Sequence, residues 1–568
     1  APSYNAEDPR FWENYTRHVL AMARRDRNHP SLAIYSLENE IISCGGDKGV
    51  WEPGLGRLAD ALRGVDPTRL VTCESDLDPA GKMDIIGMHY PREYWSGFTL
   101  YPDKCWWMDE EIPYIGQQWK WRRDKPLYIG EFDGGFPAWY PQYQAFWLGD
   151  EAYTWRGRFS AASPNSRARR EMIQMEVEAY RWYGVTGLNP WFDPDEVDVF
   201  GPEAYAPIAV AVRERTHNFY AGQRIARTLY LYNDSLAAAN LELTWAATAP
   251  GAKPQTGKLA VRLAPCEATK KTIVFLAPNV DRRVRMTLKL VLRSGGKQVC
   301  VKEQEYAVFP RPAAVRARGV YVYDPAGQTG EVLKRLGVEA PAVVSLDSVP
   351  EDARVLVIGA GTLKSGPAPW AKEVARWVED GGCVLCLEQE DYPDGWLPIE
   401  VQLDEKHSTV IAFPRAAGHP VLAGLQAEDL RFWQPDHIVA RRTIIKPMRG
   451  NFVPVADAGG IRSAIDDMNG LNWAPLVELP YGRGRYLLSQ FVLVERAGVE
   501  PVAGLLLGNL VRYAAEGQPP RRTRVGLVAD PDSKLKAVLD GMGLVYESLL
   551  GAVSAERLAR VGLVIVGG

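Results

Sequence analysis

Several features that would point to a specialised environment are scarce in this chain. Its seven cysteines in 568 residues are odd in number and widely spread, so they form neither a disulfide framework nor a zinc-ligand spacing. The one close pair, Cys383 and Cys386, lies in a strand-like Gly-Gly-Cys-Val-Leu-Cys-Leu run. Positions three apart on a strand face opposite ways, so the pair should neither bridge nor chelate, and no metal or cofactor is expected. Neither charge dominates: 66 Lys and Arg against 70 Asp and Glu leave a net charge of −4, with no clustered basic surface for nucleic acid. No apolar run approaches the ~18 residues of a membrane helix, the best being the strand-sized Val561–Val566. The expectation is a soluble protein without nucleic-acid or membrane partners. Ala1 is not preceded by a leader pattern, so export is not read from this end, with a secreted or periplasmic setting favoured over a cytoplasmic one.

What is abundant is tryptophan, and it is unevenly placed. Of 18 tryptophans, 12 lie within the first 191 residues, among many Tyr, Asp and Glu. Aromatic faces stack on sugar rings, which hints at carbohydrate, although large side chains filling a core explain the same count.

At ~150 residues per domain the length allows three or four domains. Residues 1–222 alternate helical runs (Phe11–Arg25, Leu55–Leu62, Glu171–Tyr183) with strand-like runs (Leu32–Leu37, Leu70–Cys73, Asp84–Met88, Leu127–Gly130, Gly184–Leu188). That alternation argues for a parallel sheet with crossovers, either a barrel or an open doubly wound sheet. Residues 223–311 carry alternating runs and turns without a convincing helix, the pattern of a β-sandwich. Helix–strand alternation resumes over 312–517 as an open flavodoxin-like sheet. An internal repeat then pairs Arg318–Pro325 with Arg524–Pro531, 206 residues on, and Leu356–Gly359 with Val564–Gly567. Residues 518–568 therefore read as the start of a second copy that stops after its second strand, and both ends of the chain look cut.

The chemistry-bearing residues close two of the strands. Glu40 ends the run that begins at Asn28, and Glu131 ends Lys125-Pro-Leu-Tyr-Ile-Gly-Glu. A parallel barrel collects its catalytic groups at such strand ends. The two are 91 residues apart, about three βαβ units of ~30 residues each, which sets them on opposite sides of a barrel mouth. Paired carboxylates across a cleft are what glycosidic cleavage requires.

Asn28-His-Pro-Ser followed by Ser36-Leu-Glu-Asn-Glu40 resembles the acid/base signature of glycoside hydrolase family 2. Asp84-Ile-Ile-Gly-Met-His-Tyr90 is similar to that family's sixth barrel strand, Lys125–Glu131 to its nucleophile strand, and Trp191 to the aromatic ending its eighth. The short Cys73–Asp84 connection, too brief for a crossover helix, also fits the family. The resemblance, covering roughly residues 8–195, implies strands four to eight of a (β/α)8 barrel, with Glu40 as general acid/base and Glu131 as nucleophile of a retaining, β-galactosidase-like enzyme. It further implies that Asn39 contacts the sugar 2-hydroxyl, Tyr90 orients Glu131, His89 reaches a hydroxyl and Trp191 floors the subsite. Each has a plainer reading: a loop cap for Asn39, a half-buried phenol for Tyr90, a structural donor for His89 and a core role for Trp191.

The departures also count. Glu38 stands where the family usually has Gly, and it has three open fates: binding a hydroxyl, pairing with Arg24, Arg25 or Arg27, or pointing outward. No Asn-x-Lys follows the eighth strand, which disfavours a glucuronide. About 30 residues precede the Glu40 strand, so strands one to three have no room and the fragment alone should be inactive. A second functional class therefore stands beside the first, a carbohydrate-binding or structural homologue without catalysis. The C-terminal sheet resembles class I amidotransferase-like domains, yet Cys383 continues a strand instead of capping an elbow, so assembly, including a homo-oligomer, is its implied role.

Overall fold

The computed structural model describes residues 5–90, 111–132, 141–154, 163–190, 203, 205–405, 407–460, 470–516, 524–542 and 544–567. They divide into two compact units, one essentially from residues 1–213 and the other from 214–568.

In the first unit helices alternate with parallel strands. The helix Pro9–Asp26 begins where Asp8 accepts the Arg10 N–H and Pro9 takes the first helical position. The helix Lys48–Val65 is capped by Asp47 in the same way, and Pro164–Tyr183 starts at Ser163 and ends at Gly184, whose φ of +82° provides the left-handed stop. Five strands follow one another in space as in sequence: Ile34–Asn39, Leu70–Glu74, Ile86–His89, Leu127–Phe132 and Gly187–Pro190. The first two form one parallel ladder and the last three another. Between the ladders Asp84 N–H donates to the Val71 carbonyl at 2.9 Å, and Thr72 Oγ1 donates to that of Ile85 at 3.0 Å. The connection between these strands holds a short 3-10 turn, Pro79–Gly81, in place of a crossover helix.

Alternation along each strand decides what faces the site. Tyr35, Leu37, Val71 and Cys73 pack with the first two helices around Leu55, Leu58 and Leu62. Ile86, Met88, Leu127, Ile129 and Phe132 pack against Ile173, Val177 and Tyr180 of the long helix. The residues between them turn to the other face. Ladder register shifts fall between Ser36 and Asn39, Met88 and His89, and Ile129 and Phe132, just ahead of the strand ends where side chains are re-aimed.

The second unit opens with two sheets. Arg224–Asn233 pairs antiparallel with Glu267–Leu276, and a five-stranded sheet runs Gln255–Leu263, Ala239–Thr248, Val284–Ser294, Lys297–Phe309 and Asn218–Tyr220. Trp245, Phe275 and Tyr306 bring their inner faces into ring contact. Asn218–Tyr220 lies ahead of the boundary expected at 223, because this short strand adds in parallel to the end of Lys297–Phe309. The α/β region that follows has Val320–Tyr323, Val355–Ile358, Cys383–Cys386 and Gly484–Ser489 as a parallel core. Cys383 belongs to the apolar cluster on one face of that sheet and Cys386 to the cluster on the other, as their spacing predicts.

The repeat is visible in the elements. Helix Gln328–Arg335 recurs as Lys534–Gly541, 206 residues later, and strand Val355–Ile358 as Leu563–Val566, 208 later. The second copy has three strands instead of the expected two, because Tyr546–Ser548 pairs beside Val525–Val528. Its counterpart in the first copy is a single parallel bridge from Val322 to Ala342.

Candidate active site

Glu40, Glu74, His89, Tyr90 and Glu131 meet at the C-terminal ends of four adjacent strands. His89, only 2% exposed at its side chain, is the hub. Its Nδ1 lies 2.8 Å from Glu40 Oε1 and 3.6 Å from Glu131 Oε2, and its Nε2 lies 3.2 Å from Glu74 Oε2. One carboxylate oxygen each of Glu40 and Glu131 and a His89 nitrogen all fall within 4.8 Å of one another. Among the described residues this is the one trio with metal-ligand spacing. The Tyr90 hydroxyl donates to Glu131 Oε2, and its N–H donates to the Glu131 carbonyl at 2.9 Å.

The backbone at the mouth is unusually contorted. Glu40, Ser75, Leu77 and Tyr90 all have positive φ, at 58°, 74°, 64° and 43°. Such conformations are costly for residues with a β-carbon, and they persist where surrounding contacts over-determine them. Tyr114, from the hairpin Ile112–Trp119, supplies one such contact. Its hydroxyl accepts the His89 N–H at 2.9 Å, donates to the His89 carbonyl at 3.1 Å and meets Ser75 Oγ at 3.2 Å. Burial pushes that phenol up to about 12.

Burial alone would lower the His89 pKa, but hydrogen bonds to Glu74 and Glu40 and the charge of Glu131 outweigh it and raise the value. A group raised in the folded state stabilises below its unfolded value and loses that contribution as pH climbs through the folded one. Thermal unfolding followed from pH 6 to pH 9 should therefore show a loss of stability on the alkaline side. His89→Gln should flatten that slope.

Glu38 is turned inward and buried, away from Arg24, Arg25 and Arg27. Arg25 pairs with Asp26, and Arg27 donates to the Val65 carbonyl. The outward and arginine-paired readings are thus corrected by strand alternation: Leu37 faces the helices, so Glu38 cannot. Burial first, then the neighbouring Asp76 charge, push Glu38 up to about 9, leaving its carboxyl protonated at neutral pH. Asn39 is exposed at the mouth, and Trp191 lies outside the described residues.

Sequence reasoning did not find Glu74, Ser75, Asp76 or Tyr114. Glu74 was reachable, since it closes Leu70–Cys73 as Glu40 and Glu131 close their strands, whereas Tyr114 has no comparable signal. Gly130 also has a role: a β-carbon there would sit 1.8 Å from Glu74 Oε2 and 2.9 Å from His89 Nε2. Gly130→Ala should swing Glu74 off His89 at a cost of roughly 1–3 kcal/mol in stability. Denaturant titration checks the cost, and the pH slope of stability described for His89 should weaken with it.

The C-terminal sheet offers a rival concavity, a cavity of about 920 Å³ at the ends of its parallel strands, lined by Gly327, Gly361, Glu388, Gln389, Arg441 and Gln490 among others. Its lining includes no cysteine or histidine. Cys383 is buried within the sheet, and burial pushes its thiol up to about 11, the opposite of an activated nucleophile.

Comparison with known proteins bears on the first unit. Residues 1–136 match the model of glycosyl hydrolases family 2, TIM barrel domain. A stretch of 95 residues is 36% identical to beta-galactosidase 2 of Enterobacter cloacae, and 91 residues are 36% identical to a beta-galactosidase of the same organism. A beta-galactosidase of Kluyveromyces lactis is 33% identical over 88 residues. These alignments take in 15–16% of this chain and 8% of each relative. A solved alkylpurine DNA glycosylase from Pseudomonas fluorescens, bound to DNA, aligns over 30% of this chain and 46% of its own at 12% identity with a TM-score of 0.16, which carries no inference. The segment that holds Glu40, His89, Tyr90 and Glu131 is thus similar to the TIM barrel domain of the family 2 glycosyl hydrolases.

Proposed function

We propose that these residues form the acid/base and nucleophile half of a retaining β-glycosidase active site, acting on terminal β-galactoside-like substrates. The observation that carries this reading is the approach of the Glu40 and Glu131 carboxylates, with oxygens within 4.8 Å. Retaining enzymes hold their two carboxyls ~5–5.5 Å apart, whereas inverting ones leave room for a water between them.

In this reading Glu131 attacks the anomeric carbon while the bond to the leaving oxygen breaks and Glu40 delivers a proton to that oxygen. The resulting glycosyl ester is opened by a water that returns its proton to Glu40, which frees the Glu131 carboxylate. Tyr90 fixes the attacking carboxylate through its hydroxyl bond to Oε2. His89 holds Glu40 at 2.8 Å, and Glu74 holds His89 from behind, so the proton donor keeps one orientation. In the same reading Asn39, exposed beside Glu40, is the residue assigned to the sugar 2-hydroxyl.

The reading of a homologue without catalysis leaned on Glu38 as an extra carboxylate at the site. Glu38 is buried and accepts the Ile41 N–H at 3.1 Å. The test is covalent trapping in the full-length protein. A 2-deoxy-2-fluoro-β-galactosyl fluoride should inactivate it and leave an ester on the peptide containing Glu131. An ester on another residue, or hydrolysis with inverted configuration, would refute the proposal.

A further inference from the structure

The turn that follows Glu40 hangs from two buried carboxyls. The Ile41 N–H donates to Glu38 Oε2 at 3.1 Å, the Ile42 N–H to Asp76 Oδ2 at 2.6 Å and the Ser43 N–H to Asp76 Oδ1 at 2.9 Å. Three successive backbone donors thus converge on side chains from two different places in the chain. One precedes Glu40 on its own strand, and the other follows the neighbouring strand Leu70–Glu74. Asp76 is 3% exposed. It sits between Ser75 and Leu77, both left-handed, so the loop that presents it is itself held in a demanding conformation.

Glu40 heads this turn at a φ of +58°, its N–H donating to the Glu74 carbonyl at 3.0 Å and its own carbonyl accepting the Cys44 N–H at 3.2 Å. A residue with a β-carbon tends to leave the left-handed region, and each side-chain bond to the turn opposes that escape. The side chain of Asp76 bonds to the turn backbone and not to Glu40, so its influence on the proton donor passes through the main chain.

We propose that Asp76, supported by Glu38, is the positioning residue for Glu40: it fixes the turn so that the Glu40 carboxyl reaches the leaving oxygen, without touching the substrate itself. This rests on the reading of Glu40 as acid/base.

The test is the leaving-group dependence of Asp76→Asn in the full-length protein. The amide keeps one acceptor but sets an N–H group against the second turn donor. Cleavage of phenyl β-galactoside, whose leaving group needs a proton, should fall in kcat/KM by about 100-fold. Cleavage of 2,4-dinitrophenyl β-galactoside, whose leaving group departs unaided, should change no more than a few-fold. The ratio of the two is independent of how much of the variant is folded. Equal losses on both substrates, or no loss on either, overturn the proposal. An unmodified protein that cleaves neither substrate overturns the reading beneath it instead, which separates the two failures.

Discussion

Glu131→Gln in the full-length protein should reduce hydrolysis of aryl β-galactosides by at least about 10⁴-fold, the scale on which removal of a covalent nucleophile is felt. The amide is nearly isosteric, so the Tyr90 hydroxyl keeps an acceptor and the 3.6 Å approach to His89 is retained. What disappears is the charge that attacks the anomeric carbon. Because the fold should be preserved, loss of turnover with an unchanged unfolding curve would separate chemistry from stability. Turnover close to the parent's would end the proposal.

Glu40→Ala should show a different signature. Proton delivery contributes about 10²–10⁴-fold, and only where the leaving group needs it. Phenyl galactosides should slow by that factor, while dinitrophenyl galactosides should still form the ester rapidly and then stall, because no base remains to activate water. A small anion such as azide needs no base, so it should restore release and yield a β-galactosyl azide. Retained turnover on phenyl substrates would exclude Glu40 from the acid role. His89 lines the cavity that the variant leaves, and its bond to Glu74 at 3.2 Å should hold it away from the vacated position.

The elements of the barrel-like unit were readable because its apolar positions keep strict periods. Leu55, Leu58 and Leu62 mark a helix face, and Tyr35 and Leu37 mark a strand face, and both sets lie in the same apolar cluster. Glu40 and Glu131 were legible for a related reason, since each comes at the end of an apolar run: Glu40 directly follows the strand Ile34–Asn39, and Glu131 is the next-to-last residue of Leu127–Phe132. Three further features were not. The strand Lys297–Phe309 begins with residues that are exposed or only half-buried, many of them charged, so no apolar run marks it before Tyr306. Asn218–Tyr220 is only three residues long and is held by its partner strand, not by its own pattern. Tyr114 and Asp76 act through distant backbone groups, and such contacts leave no trace in local spacing. Glu38 lies between these cases: the alternation that predicts Leu37 as core also predicts an inward Glu38, and that inference was available from the strand alone.

The repeated copy has a consequence for handling the polypeptide. In the first copy Val355–Ile358 is covered on both sides, whereas in the second the matching Leu563, Val564 and Val566 are open to water. An uncovered apolar strand is adhesive toward its own kind. Light scattering on this polypeptide would therefore register clumping through that strand, and a variant with lysines at Leu563 and Val566 is needed before any subunit count can be ascribed to the α/β sheet preceding it.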